Sequence, residues 1–201
     1  MVIKDNQEYT DIHFEDLDLA DTELSGCKFI NCSFHNANMV GLVTKKCSFS
    51  QCSFKSARLN TSFHEISAFT NCTFEYANLF NVSFKECKML GSSFSGANMF
   101  GISIEKGDWS YTNLRMISLK DLDLRNVRFE RADLYKCDME KADLRGADLS
   151  YAILAQANLK NADLREAKME GIDFKSFSLK GVKLDLTQAV SVARSFGAII
   201  E

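Results

Sequence analysis

Residues 132–171 repeat themselves every five positions: ADLYK CDMEK ADLRG ADLSY AILAQ ANLKN ADLRE AKMEG. The third residue of each five is Leu or Met. The first is Ala, or once Cys, and the second is mostly Asp or Asn. A period of five matches neither the 3.6-residue turn of a helix nor the two-residue alternation of a strand. A short fixed period means a repeat architecture, which decides the fold before any local reading.

Carried in both directions, the frame holds from Phe14 to Leu184. Thirty-one of the 35 large positions in that span are Leu, Phe or Met; Ile104 and Trp109 are also large and apolar, and only Thr44 and His64 depart. The small position two residues earlier carries eleven alanines and all seven cysteines: Cys27, Cys32, Cys47, Cys52, Cys72, Cys87 and Cys137. Reduced cysteine behaves as a small hydrophobe. This shared register therefore points to an interior column rather than to disulfides or metal ligands.

Sorting by twenty residues sharpens the pattern. One column reads Phe14, Phe34, Phe54, Phe74, Phe94, and another reads Phe29, Phe49, Phe69. The natural architecture is a four-sided all-β solenoid with one five per side and nearly nine coils. At strand spacing of about 4.8 Å the rod is about 42 Å long. The 201 residues contain no proline, as expected where each coil must donate its N–H groups to the next. The domain reading is a polar segment over 1–11 that caps the first coil, a solenoid over 12–186, and a C-terminal helix and tail over 187–201.

The motif (A/C)(D/N)(L/F)XX resembles the pentapeptide-repeat family over residues 12 to about 186. The resemblance implies a right-handed quadrilateral β-helix. The ending is similar to that of Qnr-type quinolone-resistance proteins of the same family, with GVKLD at 181–185, then Gln188 and Ala189, then Gly197 before Ile199 and Ile200. That likeness implies a homodimer joined through C-terminal helices. It also implies binding to DNA gyrase or topoisomerase IV by partial mimicry of duplex DNA. Several Qnr-type proteins carry loops that interrupt the repeat; here the frame is unbroken.

The residues themselves offer several candidates for contact. Leu186, Ala189, Val190, Ala193 and Phe196 fall near one helical face, with Thr187 as the expected cap; with Ile199 they form the expected dimer surface. Asp123, Asp143 and Asp163, each two residues before an Arg, build an acidic ladder beside a basic ladder that offsets its charge, with the Asp side chains expected to face water. Phe80 and Phe100 share an outward column. Thr44 and His64 lie one coil apart, each preceded by an apolar residue, and this reads as a local bulge exposing Lys45 and His64.

Net charge is −3, which is weak support for mimicry of a polyanion. The first 25 residues nevertheless carry eight acids against Lys4. No clustered nucleophile, phosphate loop or cofactor motif is present, so the expectation is a non-enzymatic binding protein without cofactor. Its alternative is a scaffold with another protein partner. A cytoplasmic location, no membrane association and no direct binding of nucleic acid complete the expectations.

Overall fold

The computed structural model describes residues 3–200. It is a four-sided β-helix whose successive coils pair in parallel at a step of twenty residues. On one side β1 (Glu8–Thr10), β3 (Lys28–Ile30), β5 (Ser48–Ser50) and β7 (Ala68–Thr70) form a sheet. On a neighbouring side β2 (Glu23–Ser25), β4 (Val43–Lys45), β6 (Phe63–Glu65), β8 (Ser83–Lys85) and β9 (Ser103–Glu105) form another. Beyond residue 106, isolated bridges continue the same step, as in Lys88↔Asp108↔Arg128↔Asp148↔Lys168. Regular strand thus covers about five turns, fewer than the nine coils of the register, while the ladder itself runs on.

The sequence makes corners by two devices. The residue two after each large position is left-handed at most corners, for example Asn71 (φ 52°), Asn81 (φ 55°) and Gly91 (φ 68°). Asn, Asp and Gly occupy this conformation at least cost. The Asp or Asn before the large residue accepts the N–H two residues on, as Asp133 Oδ1 does from Tyr135 (3.1 Å) and Asn78 Oδ1 from Phe80 (3.2 Å). This side-chain turn explains why the second position of the repeat prefers those two residues.

Inside, Phe14, Phe34, Phe54, Phe74 and Phe94 stack with centroids 4.8–5.1 Å apart. Tyr9, Phe29, Phe49 and Phe69 form a second column, and the two meet edge to face. Ring spacing matches strand spacing, so backbone ladder and ring stack share one register. All seven cysteines are free and buried. Cys72 Sγ donates to Phe49 O (3.4 Å) and Cys47 Sγ to Leu24 O (3.3 Å), bonds reaching back to the preceding coil. Burial pushes the Cys47 and Cys87 thiols up to about 11, which leaves them protonated and unreactive.

Three expectations change. Segment 1–11 does not simply precede the register, because β1 lies within it and Tyr9 takes a large position on Phe29; Met1 and Val2 lie outside the described residues. There is no bulge at Thr44 and His64: β4 pairs residue for residue with β2 and β6, and both polar side chains point inward and are fully buried. Finally, helix α1 (Leu186–Ser195) is capped by Asp185, not Thr187. Asp185 accepts from Gln188 N and the Gln188 side chain returns a bond to Asp185 N, a reciprocal capping box.

Phe74→Ala should cost about 3–5 kcal/mol, because it opens a cavity inside a closed ring stack. Cys72→Ala should cost under about 1 kcal/mol, since only a methyl-sized group and a weak sulfur bond are lost. Ile66 is a β-branched residue in the left-handed region (φ 50°) and is half exposed. Ile66→Asn should therefore raise stability by about 1 kcal/mol. Denaturant unfolding of the three variants checks all of these values.

Candidate functional site

The Asp123, Asp143 and Asp163 ladder forms, one rung per coil, but not as an open acidic stripe. Each carboxylate is held by the Arg two residues on in a two-pronged pair. Arg125 Nε and Nη2 donate to Asp123 at 2.8 and 2.6 Å; Arg145 and Arg165 donate to Asp143 and Asp163 at 2.9 and 2.6 Å. The guanidiniums hold all three carboxyls below the usual carboxylate range. Side-chain exposure falls from 58% at Asp123 to 29% at Asp143 and 12% at Asp163. The expectation that all three face water fails for Asp163, which is buried behind its Arg. A neutralised ladder has little field with which to imitate phosphates.

The charged column on the same side is also compensated. Lys45 Nζ lies 2.7 Å from Glu23, and Lys85 Nζ 2.9 Å from Glu65. Lys45 is exposed as expected, but paired. Free negative charge collects instead in the first coil. Asp11, Asp16, Asp18 and Asp21 are outward, and among the described residues none has a cationic partner. Asp11 and Asp18 accept only from neutral donors: the side-chain amides of Asn31 (2.6 Å) and Asn38 (2.8 Å) and, at Asp18, the Ala20 N–H (3.1 Å).

His64 is not a surface contact. Its ring stacks on Phe84 with centroids 5.0 Å apart. Nδ1 lies 2.7 Å from Thr44 Oγ1 and Nε2 2.9 Å from Ser62 Oγ, and Thr44 Oγ1 donates to Ser67 Oγ (3.2 Å). The network closes if Nδ1–H donates to Thr44 and Ser62 donates to Nε2. Two polar residues at large positions one coil apart are therefore partners across a ladder rung, which is why they occur together. Burial pushes the imidazole down to about 3.

Phe80 and Phe100 are exposed and stacked, with centroids 6.1 Å apart and planes within 8°. Near them Met116 and Tyr76 are also exposed. At the other end, α1 docks through one face. Gln188 is buried and donates to Leu164 O and Ala167 O (2.9 Å), and Val192 packs against the core. The opposite face is largely bare: Leu186, Ala189, Phe196 and Ile199 are exposed, while Val190 and Ala193 are half-buried. The expected dimer residues thus lie together on a docked helix and its tail, away from the solenoid core.

A four-sided parallel β-helix with a five-residue inward pattern defines a class. The chain belongs to the pentapeptide-repeat family: the model of pentapeptide repeats matches residues 10–41 and 142–181, and that of the pentapeptide repeat region matches residues 77–152, together more than half its length. Its fold is the family's right-handed quadrilateral β-helix. Solved structures of QnrB1, described as a plasmid-mediated fluoroquinolone resistance protein, superpose along nearly the whole chain. One trypsin-treated variant gives a TM-score of 0.87 at 22% identity, covering 98% of this chain and 99% of that one. A second trypsin-treated variant gives 0.79 at 22% identity with the same coverage. Full-length QnrB1 gives 0.76 at 19% identity, covering 95% of this chain and 100% of that one. No curated protein matches the chain. At these identities the likeness is one of fold. No helix among the described residues is long and apolar enough to cross a membrane.

The buried imidazole makes stability depend on pH. His64 is neutral in the fold and titrates near 6.5 when unfolded, so protons bind the unfolded chain preferentially as pH falls below that value. Stability is complete above about pH 6.5 and drops by about 1.4 kcal/mol per unit until pH approaches the folded value. Unfolding free energy should therefore fall by about 2 kcal/mol between pH 7 and pH 5. In His64→Phe, whose ring fits the same column on Phe84, the slope over that window should vanish.

Proposed function

We propose that the protein is a Qnr-like binding protein that engages DNA gyrase or topoisomerase IV and shields it from quinolones, without catalysing a reaction of its own. The observation that carries this reading is the superposition along almost the whole chain on a fluoroquinolone resistance protein, C-terminal helix included. The rod works as a homodimer: the bare face of α1 and the exposed tail offer Leu186, Val190, Phe196 and Ile199 to a second copy. Joining two rods at this end puts their acidic first coils at the far tips. Uncompensated Asp11, Asp16, Asp18 and Asp21 stand there in place of phosphates, whereas Asp123, Asp143 and Asp163 are neutralised by their arginines. The site of action on this reading is the cytoplasm. A second reading, a scaffold for a different protein, draws on the exposed Phe80–Phe100 stack, since contiguous bare aromatic surface marks protein contacts.

Two measurements test the proposal. The purified protein should restore supercoiling by gyrase in the presence of a fluoroquinolone. Asp16→Asn combined with Asp21→Asn should weaken that effect several-fold, more at low salt than at high, and absence of any topoisomerase binding at low salt rejects the reading. Separately, sedimentation velocity at tens of micromolar should show a dimer. Val190→Asp with Phe196→Asp should give folded monomers, because the carboxylates would be desolvated at the interface.

A further inference from the structure

The ladder between coils is interrupted at one place along the middle of the rod. On one side it runs Asp18↔Asn38↔Arg58↔Asn78↔Asn98 and resumes as Ser118↔Asp138↔Asn158. On the next it runs from β2 through β9 at Ser103 and resumes as Asp123↔Asp143↔Asp163↔Lys183. The rungs Asn98/Ser118 and Ser103/Asp123 are missing. No hydrogen bond of any kind joins residues 95–106 to residues 115–126. The remaining two sides stay closed at the same level, through Ser93↔Asn113 and Lys88↔Asp108↔Arg128. Two adjacent faces have therefore opened as a slot, and the other two act as its back.

The lips of this slot carry backbone groups that are paired at the corresponding positions of the coils on either side. Leu79 N donates to Asn98 O (2.8 Å) and Leu119 N to Asp138 O (2.7 Å), yet Met99 N–H has no such acceptor. Asn98 N donates to Ala77 O (3.0 Å) and Asp138 N to Ile117 O (2.9 Å), yet Ser118 N–H and Ala97 O are left over. The same holds on the adjoining face, where Asp143 N donates to Leu122 O (2.9 Å) but Asp123 N–H and Ile102 O lack one another. The interior agrees: Ala97 is half-buried, whereas its column mates Ala37, Ala57 and Ala77 are closed to solvent. A cavity of about 490 Å³ follows the first opened face, walled largely by Phe100, Ile102, Met116, Ile117 and Leu122. A second, of about 520 Å³, continues it past Glu105, Lys106, Asp123 and Arg125. On the closed face next to Ser103/Asp123, and two sides from Asn98/Ser118, sits Trp109, the bulkiest side chain in the core. It is fully buried against Phe94 and Phe84, and its Nε1 has no acceptor.

We infer that this slot is a docking site for an extended segment of a protein partner, which enters between the two coils as an added parallel strand. Two lips bearing unpaired N–H and C=O groups are complementary to one thing above all, another peptide backbone. Main-chain pairing would supply affinity, and the apolar floor would select the side chains that alternate inward. Space for a strand requires the lips to stand about 10 Å apart, twice the inter-strand distance. The back of the slot, held by its intact ladders, lets the rod take that opening without unfolding. The occupant is four to six residues long, roughly the span of the two cavities at about 3.3 Å per residue. It presents small and medium apolar residues to Ile102, Ile117 and Leu122, and it needs its own amide hydrogens. The inference stands independently of topoisomerase binding.

The test uses the full chain and a synthetic peptide copying residues 77–82, acetyl-Ala-Asn-Leu-Phe-Asn-Val-amide. That segment already pairs in the closed rung beneath the slot and so has the required shape. At 1 mM peptide, backbone NMR signals of Met99, Ile104, Ser118 and Asp123 should shift. The same peptide N-methylated at alternate residues should bind at least tenfold more weakly. Asn98→Cys with Ser118→Cys should staple the lips when oxidised, the disulfide drawing them from about 10 Å to below about 7 Å, and abolish the shifts, and reduction should restore them. All seven native thiols are buried and do not compete for the staple. Asn78→Cys with Asn98→Cys staples a rung that is already closed and should leave binding unchanged. Absence of shifts at 1 mM, or equal binding by the N-methylated peptide, overturns the proposal and reduces the opening to a hinge.

Discussion

Everything in this molecule depends on the backbone ladder that joins each coil to the next. A single coil has too little interior to bury its own large residues, so its stability comes from its neighbours. The ladder fixes the twenty-residue step, and that step places Phe over Phe at the distance at which rings stack. The same step places a cysteine sulfur or a serine hydroxyl of one coil against a carbonyl of the preceding one: Cys72 reaches Phe49 O, and Ser92 Oγ reaches Phe69 O at 2.7 Å. Polar and apolar contacts are therefore enforced by one geometric constraint, with no separate local rules.

Functional features follow from where that constraint is relaxed or left unfinished. At the C-terminus the last coil has no successor. Helix α1, tied down by its Asp185–Gln188 box and by Gln188 bonds into the coil beneath, covers that end. Its outer apolar face then has nothing to pack on except another molecule. At the N-terminus the first coil carries carboxylates without cations. Between them, in the middle of the rod, lies a junction where two faces of the ladder part. The middle of the rod is otherwise electrostatically quiet, because Lys–Glu and Asp–Arg pairs cancel within each column.

The fold was legible because its period is short and its frame unbroken. Phe74, Cys72 and Leu144 are placed inward by position alone, and Phe80 and Phe100 outward. Thr44 and His64 were misread as a bulge, because a polar residue at an inward position looks like an interruption unless its partner one coil away is recognised; their spacing of twenty was the available signal. At the helix start Thr187 offers a hydroxyl, but Asp185 with Gln188 three residues on is the stronger signal, a capping box. The DLR triplets carry both the Asp ladder and the Arg ladder that offsets its charge; what spacing does not encode is side-chain reach, which folds each Arg onto its own Asp and buries Asp163. The slot left no trace in the frame at all. Residues 95–126 keep their period of five while their hydrogen bonds part, and the marks at that level are Trp109 at a large position and the bulky Ile102, Ile117 and Leu122 at the small one.

Residue-resolved amide hydrogen exchange on the free protein tests the central claim, that one backbone ladder carries the rod and opens on two faces between residues 95–106 and 115–126. Exchange reports the opening of individual rungs. Leu79, Asn98, Leu119, Asp138 and Asp143 amides should exchange slowly, as should Asp108, Trp109 and Arg128 on the closed sides. Met99, Ile104, Ser118 and Asp123 should exchange at least about a hundredfold faster, because their N–H groups have no carbonyl to hold them. Uniformly slow exchange through residues 95–126 would contradict this account, for it would mean that the ladder is closed throughout.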